Sequence, residues 1–420
     1  MVTETTGFSL EKATAAFKIN YYKRSANMYN SENPLQGRIT KKYDFTGKSR
    51  SDLTPLSYSG GVGSRLLPKA NSGKYENATI KSHRVYATCE IEREAIKASS
   101  NDAGAFVKAT GETVKKTVES HMRNASRILF GDGTGVLGKG NGAGTNVAGL
   151  GTEASPYIIE LPVANWKEAN WEERDYVQMV INGAPEGGDT VANLLEVFEV
   201  YPETRKVALV GTSPRLAALT GANPLAATDE ICMQRSYGDE PMGLKGVLDF
   251  TKAATGTLYN INYQRRWRMQ YKDAAGQGIT PDRINNMVLN VHKATGEVPD
   301  MIMSSYEQFQ NILAFLEDQK VYNLPNKNLK GHVGFDGIEI MTPKGKVGLF
   351  YDRFVDADKV WFLNSKRIEV HHRPGFGWFD DDGTVFLRKS GEDVYEARYG
   401  GYYENFIIPT GHGCIEGLAI

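Results

Sequence analysis

The sequence predicts an α+β fold: one long amphipathic helix, an inserted β-barrel-like domain, and a mixed α/β stretch that ends in strands. Three observations carry this. Residues 101–130 place Val107, Val114, Val118, Met122, Ala125 and Leu129 on one face at helical spacing. Lys108, Glu112, Lys115, Lys116, Glu119, Arg123 and Arg127 fall largely elsewhere. Short β-rich runs recur between 155 and 240 with turn residues between them, the pattern of a small barrel. Beyond 243 strands alternate with helices, and the last stretch is strand-rich again.

Asp102 is a good N-cap for the long helix, and Gly131 stands where it should stop. At 1.5 Å per residue the rod is about 40 Å long. Gly111 costs about 1 kcal/mol against Ala and marks a bend or a close approach. Alone, such a rod reads as the core helix of a soluble domain.

Composition bounds the function. A chain of 420 residues holds two or three packed units. Lys and Arg number 49 against 50 Asp and Glu, a net charge of −1 that argues against a dedicated nucleic-acid binder. No apolar run approaches the roughly 20 residues of a membrane span. The opening MVTETTGFSLEK lacks the basic-then-apolar pattern of a secretory signal. Cys89, Cys232 and Cys414 are scattered and odd in number, which suits a reducing compartment.

Residues 1–50 form a basic extended arm, with Lys23, Arg24, Arg38, Lys41, Lys42, Lys48 and Arg50 among its cations. It cannot bury a core by itself, yet Tyr21, Tyr22, Tyr29, Tyr43 and Phe45 want a surface. Residues 51–97 read as a long ribbon broken at Gly60–Gly63, with strands at Tyr75–Lys81 and Arg84–Ile91. A two-stranded ribbon is marginal in water. Arm and ribbon are therefore expected to find no adequate resting place on their own subunit and to lie on another.

The stretch from Gly131 to Asn146 contains matches to GxGxxG and to the GxxxxGK part of a phosphate-binding loop, Gly133 to Lys139. Both motifs need a strand before and a helix after. Here a helix precedes and no helical pattern follows, so a helix stop and a flexible loop are expected. Further on, Thr280 with Pro281 opens a helix whose stripe is Ile284, Met287, Val288 and Val291. Ser304 and Glu307 have capping-box spacing ahead of Phe309, Ile312, Leu313 and Leu316. No histidine pairs with another His, Cys or carboxylate at zinc-ligand spacing, and no nucleophile elbow is present. No cofactor, metal site or catalytic residue is expected.

The order of these parts resembles the major capsid proteins of tailed bacteriophages with the HK97 fold. The stretches that carry the resemblance are Arg84–Thr88, Glu90–Ile91, Glu94–Ser99, the helix with its GDGTG end, Pro241–Asp249, Gly334–Ile338 and Pro343–Lys346. It implies residues 1–50 as N-arm, 51–97 as E-loop, and 98–154 as the P-domain spine helix with the glycine-rich loop. Residues 155–240 become an inserted domain, 241–364 the A-domain, and 365–420 the P-domain return and C-terminal strands.

The resemblance further implies hexamers and pentamers that close an icosahedral shell around double-stranded DNA touched non-specifically, in the virion after assembly in the host cytoplasm. A portal and a decoration protein are further partners. A separate scaffolding protein is expected because the sequence opens directly on the arm. Some members crosslink a ribbon lysine to an asparagine with a glutamate as base; Lys69 and Asn364 are the placements this sequence offers, and non-covalent assembly is the default. Two rival readings remain: an encapsulin-type compartment shell, and an enzyme binding a nucleotide with the Gly133–Lys139 loop.

Overall fold

The computed structural model describes residues 35–57, 73–92, 103–144, 146–188, 193–221, 223–318, 338–374, 377–380, 383–389 and 391–420. Lys69, Asp102, the Gly60–Gly63 break, Glu94–Ser99 and most of Gly334–Ile338 lie outside them, as does the arm before residue 35. Among the described residues are five α-helices: α1 (Ala103–Phe130), α2 (Pro214–Leu219), α3 (Leu244–Ala253), α4 (Pro281–Thr295) and α5 (Tyr306–Asp318). None is long and apolar enough to cross a membrane. The chain divides into two compact units, residues 130–246 and the remainder.

In the larger unit the organising strand is Val394–Ile407. One edge pairs antiparallel with all of His83–Glu92, from Val394 opposite Glu92 to Tyr403 opposite His83. The other edge takes Leu387–Arg388, Gly377–Trp378 and Ile368–His372 in turn. The sequence suggests two separate strands here, Tyr395–Arg398 and Phe406–Ile408. In fact Gly400, at φ 149°, lies where a Cβ would stand 2.2 Å from the Val85 carbonyl oxygen. Close backbone approach, not a turn, requires that glycine.

The expected stripe of α1 covers this sheet: Val114, Val118, Met122 and Ala125 share a core with Cys89, Ile91, Trp378, Phe386, Ala397 and Tyr399. Arg123 and Arg127, which fall off that stripe, are buried as well, so the C-terminal half of α1 is enclosed on more than its apolar face.

A second sheet runs in the order Gln270–Asp273, Gly413–Glu416, Val360–Leu363, Met301–Ser304, Gly345–Tyr351, Ile338–Thr342. Thr280 caps α4 by accepting the Arg283 amide at 3.3 Å, and the buried residues of α4 are Ile284, Met287, Val288 and Val291, as its spacing requires. The cap of α5 moves by one residue: Ser305 Oγ accepts the Gln308 amide, while Ser304 ends the preceding strand.

The described parts of the arm and ribbon, residues 35–57 and 73–92, overturn the expectation that these segments have no home on their own chain. Thr40–Lys42 pairs parallel with Glu369–His371, and Leu35, Ile39 and Phe45 are buried. Ser49–Ser57 pairs with Lys74–Lys81, and its inner face buries Leu56, Ala78 and Ile80. The Thr79 amide donates to the Tyr259 carbonyl at 2.8 Å, so the short hairpin Thr257–Asn262 holds the ribbon. Alternation supplies one apolar face, and that face finds its partner at home. Beyond Ser82 the chain leaves the ribbon and enters the sheet under α1.

Residues 130–246 form a seven-stranded antiparallel sheet, ordered Val136–Lys139, Asp229–Met233, Tyr176–Ile181, Leu195–Tyr201, Lys206–Gly211, Tyr157–Glu160, with Ala184–Pro185 beside Tyr176–Ile181. Leu137 from the first strand and Ile159 from the last share one core with Val177, Val197, Val207 and Ile231. The sheet therefore curls, which is the barrel-like character expected. Pro202–Arg205 is the hairpin turn between Leu195–Tyr201 and Lys206–Gly211, with Arg205 at φ 53°.

Candidate assembly surfaces

Four places bear on function: the root of the ribbon, its outer face, the segment around Asn364, and the glycine-rich stretch after α1.

At the root, alternation along the arm strand sends Lys42 and Asp44 to one side and Lys41 and Tyr43 to the other. Lys42 Nζ lies 2.6 Å from Glu369. His371 is fully buried between carboxylates, Nδ1 2.8 Å from Asp44 and Nε2 3.1 Å from Glu369, and Arg50 joins Asp44 and Asp52. The His371 hydrogen bond and the Lys42 cation hold the Glu369 carboxyl down at about 2. On the other side Tyr43 stacks on His372, with ring centroids 5.2 Å apart. Burial lowers Lys41 to about 8, and burial with nearby Lys41 lowers His372 to about 3. The arm is thus zipped by charge on one face and by ring packing on the other.

The outer face of the ribbon presents Leu53 at 65% exposure and Tyr75 at 50%, with Pro55 paired to Tyr75 across the strands. It is a two-stranded surface with apolar side chains turned to solvent.

Asn364 follows the strand Val360–Leu363 and is buried. Its Nδ2 donates to Glu297 at 2.8 Å, its Oδ1 accepts the Lys366 amide, and its own amide donates to His412 Nδ1. Glu297 is gripped on both oxygens by Arg367. Hydrogen bonds from Arg367 outweigh burial and keep the Glu297 carboxyl below its ordinary range. Sequence reasoning passed over Glu297; its only signal was a carboxylate just after the glycine stop of α4.

The glycine-rich stretch makes no phosphate cradle. Positive φ falls at Gly133 and Gly135, not at Gly131. Asp132 Oδ1 accepts the Thr134 amide at 3.0 Å, closing the turn. Val136–Lys139 is then a strand of the seven-stranded sheet, not a flexible loop, and Lys139 is held by Glu230 at 2.8 Å. The reason is steric: a Cβ on Gly138 would stand 2.6 Å from Leu161 Cδ1 and 2.9 Å from Trp171 Cζ2. That glycine serves packing rather than flexibility. Among the described residues no three His, Cys, Asp or Glu side chains converge as metal ligands.

With this geometry in view, residues 231–385 match the family model of the SU10 major capsid protein. The structure is similar to that in the cyanophage A-1(L) capsid asymmetric unit at 11% identity, covering 93% of this chain and 94% of that one, with a TM-score of 0.51. This is the HK97-type capsid fold. The capsid of an empty GTA particle aligns at 8% identity over 93% of this chain and 90% of that chain, with a TM-score of 0.44. Among curated proteins no sequence matches.

Proposed function

We infer that this chain is the major capsid protein of a tailed bacteriophage, a structural subunit whose copies pack into the shell of the virion. What carries the reading is the coincidence of a capsid family model on the second half with a capsid fold over nearly the whole chain. In this reading the copies form hexamers and pentamers through repeated heterologous contacts and enclose double-stranded DNA. A scaffolding protein, a portal and a decoration protein complete the set of partners, and assembly proceeds in the host cytoplasm. The outer ribbon face, with Leu53, Pro55 and Tyr75, is apolar surface that a neighbour covers on assembly. No catalytic step is needed.

Assembly is non-covalent in this reading. The Asn364 amide is committed to Glu297 and to the Lys366 turn. An isopeptide bond from Lys69 would have to release both, expel ammonia, and find Lys69 beside it on another copy. A denaturing gel of purified particles decides: monomer bands support non-covalent contacts, a ladder supports the Lys69–Asn364 bond. The content of the particles separates the shell types. Nuclease-protected double-stranded DNA is expected, whereas a protein cargo without DNA would mark an encapsulin-type compartment.

A further inference from the structure

The net charge of −1 conceals a partition. Residues 130–246 carry eight Lys and Arg against sixteen Asp and Glu, while the rest of the chain carries forty-one against thirty-four. One compact unit is therefore at −8 and the other at +7. Like charge gathered in one unit repels itself, a cost that a partner of opposite sign removes.

The acidic unit also shows an aromatic face. On Leu195–Tyr201, Leu195 and Val197 point into the core. Phe198 is the extra residue where the register against Lys206–Gly211 shifts, and it is 37% exposed. Tyr176, across from Glu196, and Tyr201 are exposed as well. Glu172, Glu173 and Glu199 are exposed along the same strands and their lead-in. Aromatic rings between carboxylates suit guanidinium and ammonium groups, which stack on the ring and pair with the acid.

We propose that this face of residues 130–246 docks onto the basic unit of a neighbouring copy of the same chain. The occupant follows from the partition: every copy carries both the acidic face and its complement, so the two are always present in equal number. The contact is head-to-tail, the kind that closes into a ring. The basic unit offers exposed cations at Lys81, Arg84, Lys116, Arg265, Arg353 and Arg388. The proposal rests on the shell reading and names one of its contacts.

The test is sedimentation of full-length oligomers at salt from about 50 to 500 mM, across which exposed ion pairs are progressively screened. Wild-type association is expected to weaken at least about tenfold over that range. Phe198→Ser with Tyr201→Ser leaves the charge unchanged and should weaken association about tenfold at fixed salt. Glu172→Gln, Glu173→Gln and Glu199→Gln together should flatten the salt dependence. Glu153→Gln, an exposed acid elsewhere on the unit, should change association less than about twofold. Melting temperatures equal to wild type establish that the variants fold. Oligomers indifferent to salt and to both sets of substitutions would overturn this contact and leave the shell reading standing. A wild type that forms no oligomer under any condition would overturn both.

Discussion

Asp132 and Lys245, 113 residues apart in sequence, meet at 2.9 Å between Oδ2 and Nζ. The contact joins the turn that ends α1 to the start of α3, where the Gly246 amide also donates to the Gly131 carbonyl at 3.2 Å. Two of the stretches that carried the family resemblance, GDGTG and Pro241–Asp249, are thereby a single clasp. Burial pushes the Asp132 carboxyl up, but the Lys245 cation and the Thr134 donors outweigh it and hold it below its ordinary value. The stabilisation is present above the ordinary carboxylate range and is lost as pH falls through the folded-state value. Asp132→Ala should cost about 1–3 kcal/mol in urea unfolding at neutral pH, and Lys245→Met less, since its side chain is only partly buried. Unchanged stability in Asp132→Ala would contradict the clasp.

Gly138→Ala should destabilise the chain by about 1–3 kcal/mol, because the new methyl meets Leu161 and Trp171 at less than van der Waals distance. Gly47→Ala is the control: nothing lies within 4 Å of its Cβ and its φ is ordinary, so it should be neutral or mildly stabilising. Equal melting temperatures for the two variants would refute the packing role.

The buried imidazoles set an acid limit. Burial lowers His121 to about 4 and, with Lys41 nearby, His372 to about 3, from an ordinary 6.5. Both rings are neutral in the fold, so below pH 6.5 the unfolded chain takes up protons first and stability falls with pH. Each unit of separation is worth about 1.4 kcal/mol at full effect. The unfolding free energy should therefore drop steadily from about pH 6.5 to 4.5, and His372→Phe should flatten that slope. Parallel profiles for wild type and variant would count against the neutral, buried ring.

Phe45 anchors the arm strand, buried in edge contact with His371 at 6.2 Å between ring centroids. Phe45→Ala removes that anchor, a change worth about 3–5 kcal/mol in a closed core and less at an edge. Amide exchange at Lys41, Lys42 and Val370 should quicken, while Val177 and Val207 in the other unit keep their protection. Uniform quickening across both units would mean that the arm is not a local element.

Much of the fold was legible in periodicity. The described part of the α1 stripe, from Val114 on, and the Thr280 cap with all four buried residues of α4 follow from spacing alone. What escaped was chiefly the work of glycine and of long-range pairing. Gly138 read as part of a flexible loop and Gly400 as lying between two strands because a sequence does not show the atom that a Cβ would strike. The arm read as homeless because its partner, Ile368–His372, lies more than three hundred residues away. Of the candidate surfaces, Asn364 was found by its place after a strand. Glu297 was not, and whole-chain charge hid the partition between the two units.

The most direct test of the shell account is electron microscopy of the purified full-length protein, produced alone and with a scaffolding protein. The account predicts closed particles whose surface resolves into five- and six-membered clusters of this chain, with Val394–Ile407 and α1 recognisable in each copy. Persistent monomers under both conditions would contradict it.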